Sequence, residues 1–263
     1  MLGGHAIGTI VAMSRAAGKG FQLPAAALEW LVGQEPSRVL TLSGTGLPRT
    51  MARHGHDVFA LDRSPRVLSQ LANEPGVTPI AAQAEQLPFD PCQFDLVVSH
   101  QVFHRYAPGL VLSEMARVLR PGGHVAVSYL VRDDSVPWVR RLVGMIRELD
   151  PDAMAGSFGA ESVEELVASK YFHQVEKRNF RHWVPISREA MLRMTSDLPA
   201  VQGLAERERT GFLDEVGQLF DDSAPGIGDL RLPYQLRCWR AEVNHEELTA
   251  PIAVDDDGLV IPL

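Results

Sequence analysis

Three short stretches carry residue types suited to holding a nucleoside. The first is Ser43-Gly44-Thr45-Gly46, a turn of small residues directly after the apolar run Arg38 to Leu42. Glycines there let a ligand approach the backbone, and the start of the helix that follows favours negative charge. The second is Asp62, 16 residues after Gly46, with Arg63 behind it. A carboxylate at such a place can accept hydrogen bonds from both ribose hydroxyls. The third is Gln83-Ala84-Glu85, whose polar side chains suit an adenine edge. Each stretch alone is weak: small-residue turns join strands to helices in many folds, and a lone aspartate is more often a helix-start charge. Their order along the chain points to a nucleoside pocket.

These stretches fall where strands end and helices begin. Ala25 to Val32 is rich in helix formers behind Pro24. Arg38 to Leu42 reads as a buried strand, and Leu47 to His54 as a helix with Pro48 in its first turn and Gly55 as its cap. Asp57 to Leu61 is a second strand, ending in Asp62. Ser64-Pro65 opens a helix running to about Asn73, with Ser64 as N-cap. Val77 to Ala81 and Phe94 to Ser99 are the third and fourth strands. Val111 to Leu119 is an amphipathic helix stopped by Arg120-Pro121-Gly122-Gly123, and His124 to Val131 is a fifth strand. Strands alternating with helices imply βαβ units and a parallel sheet, with ligands at the carboxyl ends of its strands. The second half is more helical, with helices expected over Trp138 to Leu149, Ser162 to Ser169, Arg188 to Thr195 and Val201 to Phe220. Phe172 to Val184 and Arg231 to Glu242 read as strands. Asp257-Gly258 marks a hairpin within Thr249 to Leu263, or else that stretch is a loose tail.

Composition narrows the classes. Hydrophobic residues make up 45% of the 263 and charged residues 22%, enough to bury a sizeable core and to exclude global disorder. A net charge of −8 argues against a general grip on nucleic acid phosphates. Two cysteines, Cys92 and Cys238, exclude a disulfide framework and fit a reducing cytoplasm. The apolar stretch from Ala6 to Met13 falls far short of the roughly 20 residues that span a bilayer, so no membrane partner is expected. Asp133-Asp134 lacks a third ligand and reads as a helix cap with Ser135 and Pro137. Asp255 to Asp257 lacks the further oxygens of a calcium loop, and no metal site is expected.

Four motifs carry a resemblance: VLTLSGTG (39–46), GHDVFALDRSP (55–65), AEQLPFDPCQFDLVVSHQVFHRY (84–106) and MARVLRPGGHVAVSYLVRDDSVPW (115–138). With them the chain resembles the class I S-adenosylmethionine-dependent methyltransferases, in the small-molecule branch of ubiquinone-biosynthesis type. The resemblance implies an α/β fold: a Rossmann-like, doubly wound, seven-stranded sheet, mostly parallel with the last strand, 231–242, antiparallel. It implies one methyltransferase-like domain over 1–263, with an N-terminal arm (1–24), a cofactor-binding half (25–132), helical lid elements over the substrate mouth (133–229), the last strand (230–242) and a tail or hairpin (243–263). That apolar tail is suited to pairing across a homodimer.

The resemblance also implies roles. S-adenosyl-L-methionine would lie on Thr41, Ser43, Gly44, Thr45, Gly46, Asp62, Arg63, Gln83, Ala84, Glu85, Ser99 and His100. His104, with an ordinary pKa of about 6.5, stands where it can act as general base or orient the substrate. Arg105 and Tyr106 would meet the small-molecule substrate, Arg105 through a carboxylate or phosphate. Two departures touch the first motif. The usual acid is Thr41, and the glycine loop is one residue short with its first glycine replaced. Losing a charge-assisted bond to the methionine amino group costs about 1.5–3 kcal/mol, roughly ten- to hundredfold in affinity. Two readings follow: O-methylation of a small molecule, or a non-catalytic methyltransferase-like binding or scaffold protein.

Overall fold

The computed structural model describes residues 23–42, 44–151, 159–224, 226, 228–249, 254–255 and 258–259. The expected N-terminal arm up to residue 22, and Ser43, lie outside them. The elements follow in the order α1 (Ala25–Val32), β1 (Arg38–Leu42), α2 (Gly46–Arg53), β2 (Asp57–Asp62), α3 (Pro65–Ser69), β3 (Val77–Ala81), β4 (Phe94–His100) and a 3₁₀ turn (Phe103–Arg105). Then come α4 (Pro108–Val118), β5 (Leu119–Arg132), α5 (Pro137–Leu149), α6 (Val163–Val167), β6 (Phe172–Ile186), α7 (Arg188–Ser196), α8 (Pro199–Gln202), α9 (Glu206–Ser223), β7 (Leu230–Val243), α10 (Glu246–Thr249), β8 (Val254–Asp255) and β9 (Gly258–Leu259).

Seven strands form one sheet in the order β3-β2-β1-β4-β5-β7-β6. It is mostly parallel with the last strand antiparallel, a Rossmann-like α/β arrangement. Continuous apolar runs explain its centre: four of five residues in β1 and five of seven in β4 are buried, as a sheet covered on both faces requires. The order reverses between β1 and β4, and such switch points open a crevice at the strand ends. Register aligns those ends: Leu42 lies opposite Ser99 and Leu61, and Asp62 opposite Ala81. The terminal hairpin is present as the antiparallel pair β8 and β9.

The chain divides into two compact units. The one built from 31–127, 162–177 and 239–263 has Val39, Leu40, Val58, Phe94, Val97, Met115 and Val125 in its core. The other draws its described residues from 1–30, 128–161 and 178–238, and packs Leu142, Ile146, Met191, Val216 and Leu219. There α9 lies against α7, where Arg188 pairs with Asp221 at 3.0 Å. Among the described residues no helix is long and apolar enough to cross a membrane.

Several elements depart from their expected bounds. The helix after Ser64 ends at Ser69, and 70–73 continue as turns ahead of Pro75. Ser64 occupies the N-cap, yet its side chain makes no capping bond. The helix expected over 201–220 is two, broken at Gly203, with Glu208 accepting from the Ala205 N–H at 3.3 Å to start the second. Residues 133–137 hold no side-chain cap either: the N-cap of α5 is Val136, Asp133 accepts from the Ser135 N–H at 3.0 Å, and Asp134 pairs with Arg132.

Arg120-Pro121-Gly122-Gly123, expected only to stop a helix, lies in the extended run of β5. Gly122 has φ +76°, and a Cβ on Gly123 would stand 2.8 Å from the Arg120 carbonyl oxygen and 3.1 Å from that of Asp95. Backbone cannot move aside cheaply. Gly123→Ala is therefore expected to cost about 1–3 kcal/mol, lowering the melting temperature by roughly 2–4 °C per kcal/mol. A calorimetric scan matching the wild type would refute the close approach.

Candidate functional site

The site begins with how β2 ends. Asp62 places one carboxylate oxygen 2.8 Å from the Ser64 N–H and the other 3.3 Å from the Gly44 N–H. Gly44 has φ +87°, a conformation that suits glycine, and it aims its N–H across from β1 to β2. One side chain thus ties the turn after β1 to the start of α3.

Asp62 lines a cavity of about 370 Å³ with Leu61, Arg63, Ser64, Val67, Ala82, Ala84, Arg105 and Tyr106. That volume lies within the roughly 300–1,000 Å³ common for small-molecule sites. Burial, reinforced by the Asp62 and Glu85 carboxylates and opposed by Arg105 and Arg63, pushes the Tyr106 phenol upward, so it stays a hydrogen-bond donor. Glu85 accepts from the Ala107 N–H at 3.3 Å and so fastens the segment after the 3₁₀ turn to the segment after β3. Phe103, 2% exposed, anchors that turn from beneath.

The expected residues separate accordingly. Asp62, Arg63 and Ala84 share the cavity, and Glu85 flanks it. Gln83 is exposed and pairs through its backbone with Gln86. Thr45 is the N-cap of α2 and Gly46 its first residue. Thr41 is 1% exposed within the sheet, and its hydroxyl donates to the Phe59 carbonyl at 3.4 Å. Ser99 is wholly buried at the end of β4, and its hydroxyl has no hydrogen-bond partner among the described residues. His100 follows it, and Gln101 then takes φ +64°, unusual for a residue with a side chain and a mark of local strain. Arg105 and Tyr106, expected on the substrate side, line the cavity that holds Asp62. Leu61, Ser64, Val67 and Ala82 escaped the sequence reading. Ser64-Pro65 carried a signal, but one that spoke of a helix start.

A second cavity, of about 560 Å³, is lined by Glu85, Leu87, Phe89, Glu114 and Arg117 among others. Its charged groups bond one another: Arg117 donates to both Glu114 oxygens at 2.6 and 2.7 Å and to the Phe89 carbonyl at 2.7 Å, while Glu114 accepts from the Leu87 N–H at 2.7 Å. This clamp holds the β3–β4 connection and leaves little for a ligand. Among the described residues no group of three His, Cys, Asp or Glu is placed to hold a metal ion.

Comparison with known proteins identifies the family. Residues 42–127 match a family model described as a methyltransferase domain. An uncharacterized methyltransferase of Mycobacterium tuberculosis is 32% identical over 224 residues, covering 83% of this chain and 88% of the relative. The chain belongs to the class I S-adenosylmethionine-dependent methyltransferases. A solved structure of a candidate type II methyltransferase from Anaeromyxobacter dehalogenans shares the fold, with a TM-score of 0.60 at 22% identity over 86% of this chain and 98% of that one. Phosphoethanolamine N-methyltransferase 2 of Haemonchus contortus, solved with S-adenosyl-L-methionine, gives a TM-score of 0.50 at 18% identity, over 90% of this chain and 57% of that one.

The two histidines at and just after the end of β4 both have lowered pKa values. Burial pushes His100 down to about 4, so its ring is neutral at physiological pH. His104 is lowered by burial and then by Arg105. In an NMR titration His100 is expected to show no inflection between about pH 5.5 and 8. A midpoint at the ordinary value would mean that the end of β4 is open to water.

Proposed function

We propose that this methyltransferase binds S-adenosyl-L-methionine over Asp62 and methylates an oxygen of a small molecule in the cytoplasm. The observation that carries the reading is the Asp62 carboxylate, fixed by two backbone donors at the edge of a cavity of ligand size. A carboxylate at the end of this strand suits ribose hydroxyls, and the cofactor would supply an electrophilic methyl group on a sulfonium. The Haemonchus enzyme, solved with that cofactor on a similar fold, supports the same choice.

Ser99 fits the cofactor's amino-acid end. The Thr41 hydroxyl is committed to Phe59, whereas the Ser99 hydroxyl, one strand away, is buried without a partner among the described residues, and an unmet buried hydroxyl costs about 1–3 kcal/mol. A ligand group there would recover that cost. His104 serves as the base that takes the proton of an acceptor hydroxyl. Its lowered pKa leaves the imidazole neutral at pH 7 and able to accept. Protonation removes that ability, so turnover is expected to fall on the acid side with a midpoint below about 6.5. A profile flat through that range would remove His104 as base.

Binding tests the cofactor reading directly. Titration calorimetry should detect both S-adenosylmethionine and S-adenosylhomocysteine. Asp62→Ala should weaken both by roughly ten- to hundredfold, and Ser99→Ala by about two- to tenfold. Absence of wild-type binding to either ligand would sink the proposal. Binding without turnover on any acceptor would favour the scaffold reading, which the shortened 41–46 turn also motivates.

A further inference from the structure

The segment that follows β5 holds a polar cluster that the cofactor reading leaves unused. Arg132, the last residue of β5, is 8% exposed, and Asp134 takes its guanidinium through Nε and, at 3.0 Å, through Nη2. Asp133 accepts from the Ser135 N–H at 3.0 Å and from the Gln235 amide of β7 at 3.3 Å. Its own N–H donates to the Pro233 carbonyl at 3.0 Å. These bonds fasten the end of β5 to the start of β7, and every residue in them belongs to one compact unit.

Tyr234 is the exception. It lies on β7 between the two residues that hold Asp133 and is 3% exposed, yet its hydroxyl has no hydrogen-bond partner among the described residues. Alternation along the strand turns its side chain to the face opposite Gln235. Arg132 is near enough to act on the phenol, but Asp134 already takes that guanidinium. A buried hydroxyl left out of a cluster whose neighbours are paired calls for a partner from elsewhere. Parallel sheets place their ligands at the carboxyl ends of strands, and this is such an end. Burial, opposed by Arg132, pushes the phenol upward, so it stays protonated and able to donate. The Arg132–Asp134 pair is neutral as a whole. An incoming anion would find the guanidinium taken and a carboxylate beside it, whereas a neutral oxygen needs only the donor.

Resting on the cofactor reading above, we propose that the Tyr234 hydroxyl recognises the methyl acceptor by donating a hydrogen bond to an uncharged carbonyl oxygen. The Arg132–Asp134 pair holds the strand end in place and disfavours an anionic acceptor. The substrate class is then a neutral hydroxylated molecule that also carries a ketone or ester. Arg132 and Asp134 thereby gain a use beyond leading into α5.

The test compares methyl 4-hydroxybenzoate, a neutral ester, with 4-hydroxybenzoate, its anionic counterpart. Both are titrated into the full-length protein saturated with S-adenosylhomocysteine. The ester is expected to bind about tenfold or more tightly than the carboxylate. Tyr234→Phe should weaken the ester by about two- to tenfold and leave S-adenosylhomocysteine within about twofold. Without ligands this variant should melt at or above the wild-type temperature, since no bond within the protein is lost. A lower melting temperature would mean that the hydroxyl already has a structural partner, an ordered water included, and overturns the proposal. With S-adenosylhomocysteine bound, three further results overturn this proposal alone: no binding of the ester, a carboxylate that binds as tightly, or an ester affinity unchanged by Tyr234→Phe. A wild type that does not bind S-adenosylhomocysteine overturns the cofactor reading and this proposal with it.

Discussion

One carboxylate organises the ligand end of the sheet. Asp62 stands where β2 stops, and its two oxygens reach in different directions, to the turn after β1 and to the start of α3. Without it the Gly44 N–H would lose this partner and the short turn would have less to define its path. The same group faces the cavity and depends on its surroundings in turn. The aromatic trio Phe59, Phe89 and Phe94, with ring centroids 4.8–5.9 Å apart and Arg38 over Phe59, secures β2 against β4 beneath it. The Arg117–Glu114 clamp secures the connection between β3 and β4. A rigid scaffold of this kind is what lets a few loop residues hold a defined geometry.

The Arg117–Glu114 pair also links the scaffold to pH. The hydrogen bond from Arg117 holds the Glu114 carboxyl below its ordinary range, aided by the Leu87 N–H and resisted by burial. A carboxyl depressed on folding stabilises the fold above its unfolded pKa, and that contribution fades as pH falls through the folded value. The clamp is therefore intact at neutral pH and weakens only in acid.

Much of this was legible in the residue order. Apolar runs bounded by small-residue turns mark β1, β2 and β4, and an acid at a strand end needs no tertiary information to be noticed. What was not legible depends on distant or competing interactions. Gly203 breaks a helix whose flanks both have helical spacing. The Thr41 hydroxyl has a neighbouring strand's carbonyl as its partner, which only register reveals. Arg105 and Tyr106 belong to the Asp62 cavity because a 3₁₀ turn and one bond from Ala107 to Glu85 redirect the chain there. No local pattern of residue types encodes that turn of direction.

The place of β7 in the sheet has a consequence for how the protein is made. Residues 230–243 enter between β5 and β6, although both of those strands are synthesised earlier. During translation β6 therefore has no neighbour to join, and β5 keeps an open edge, until residues 230–243 have left the ribosome. Pairings of such long sequence separation form slowly, and open edges invite pairing with other chains. An interruption of synthesis before residue 230 would release a chain that lacks an interior strand of its sheet, a species for chaperones to shield rather than a shorter version of the enzyme.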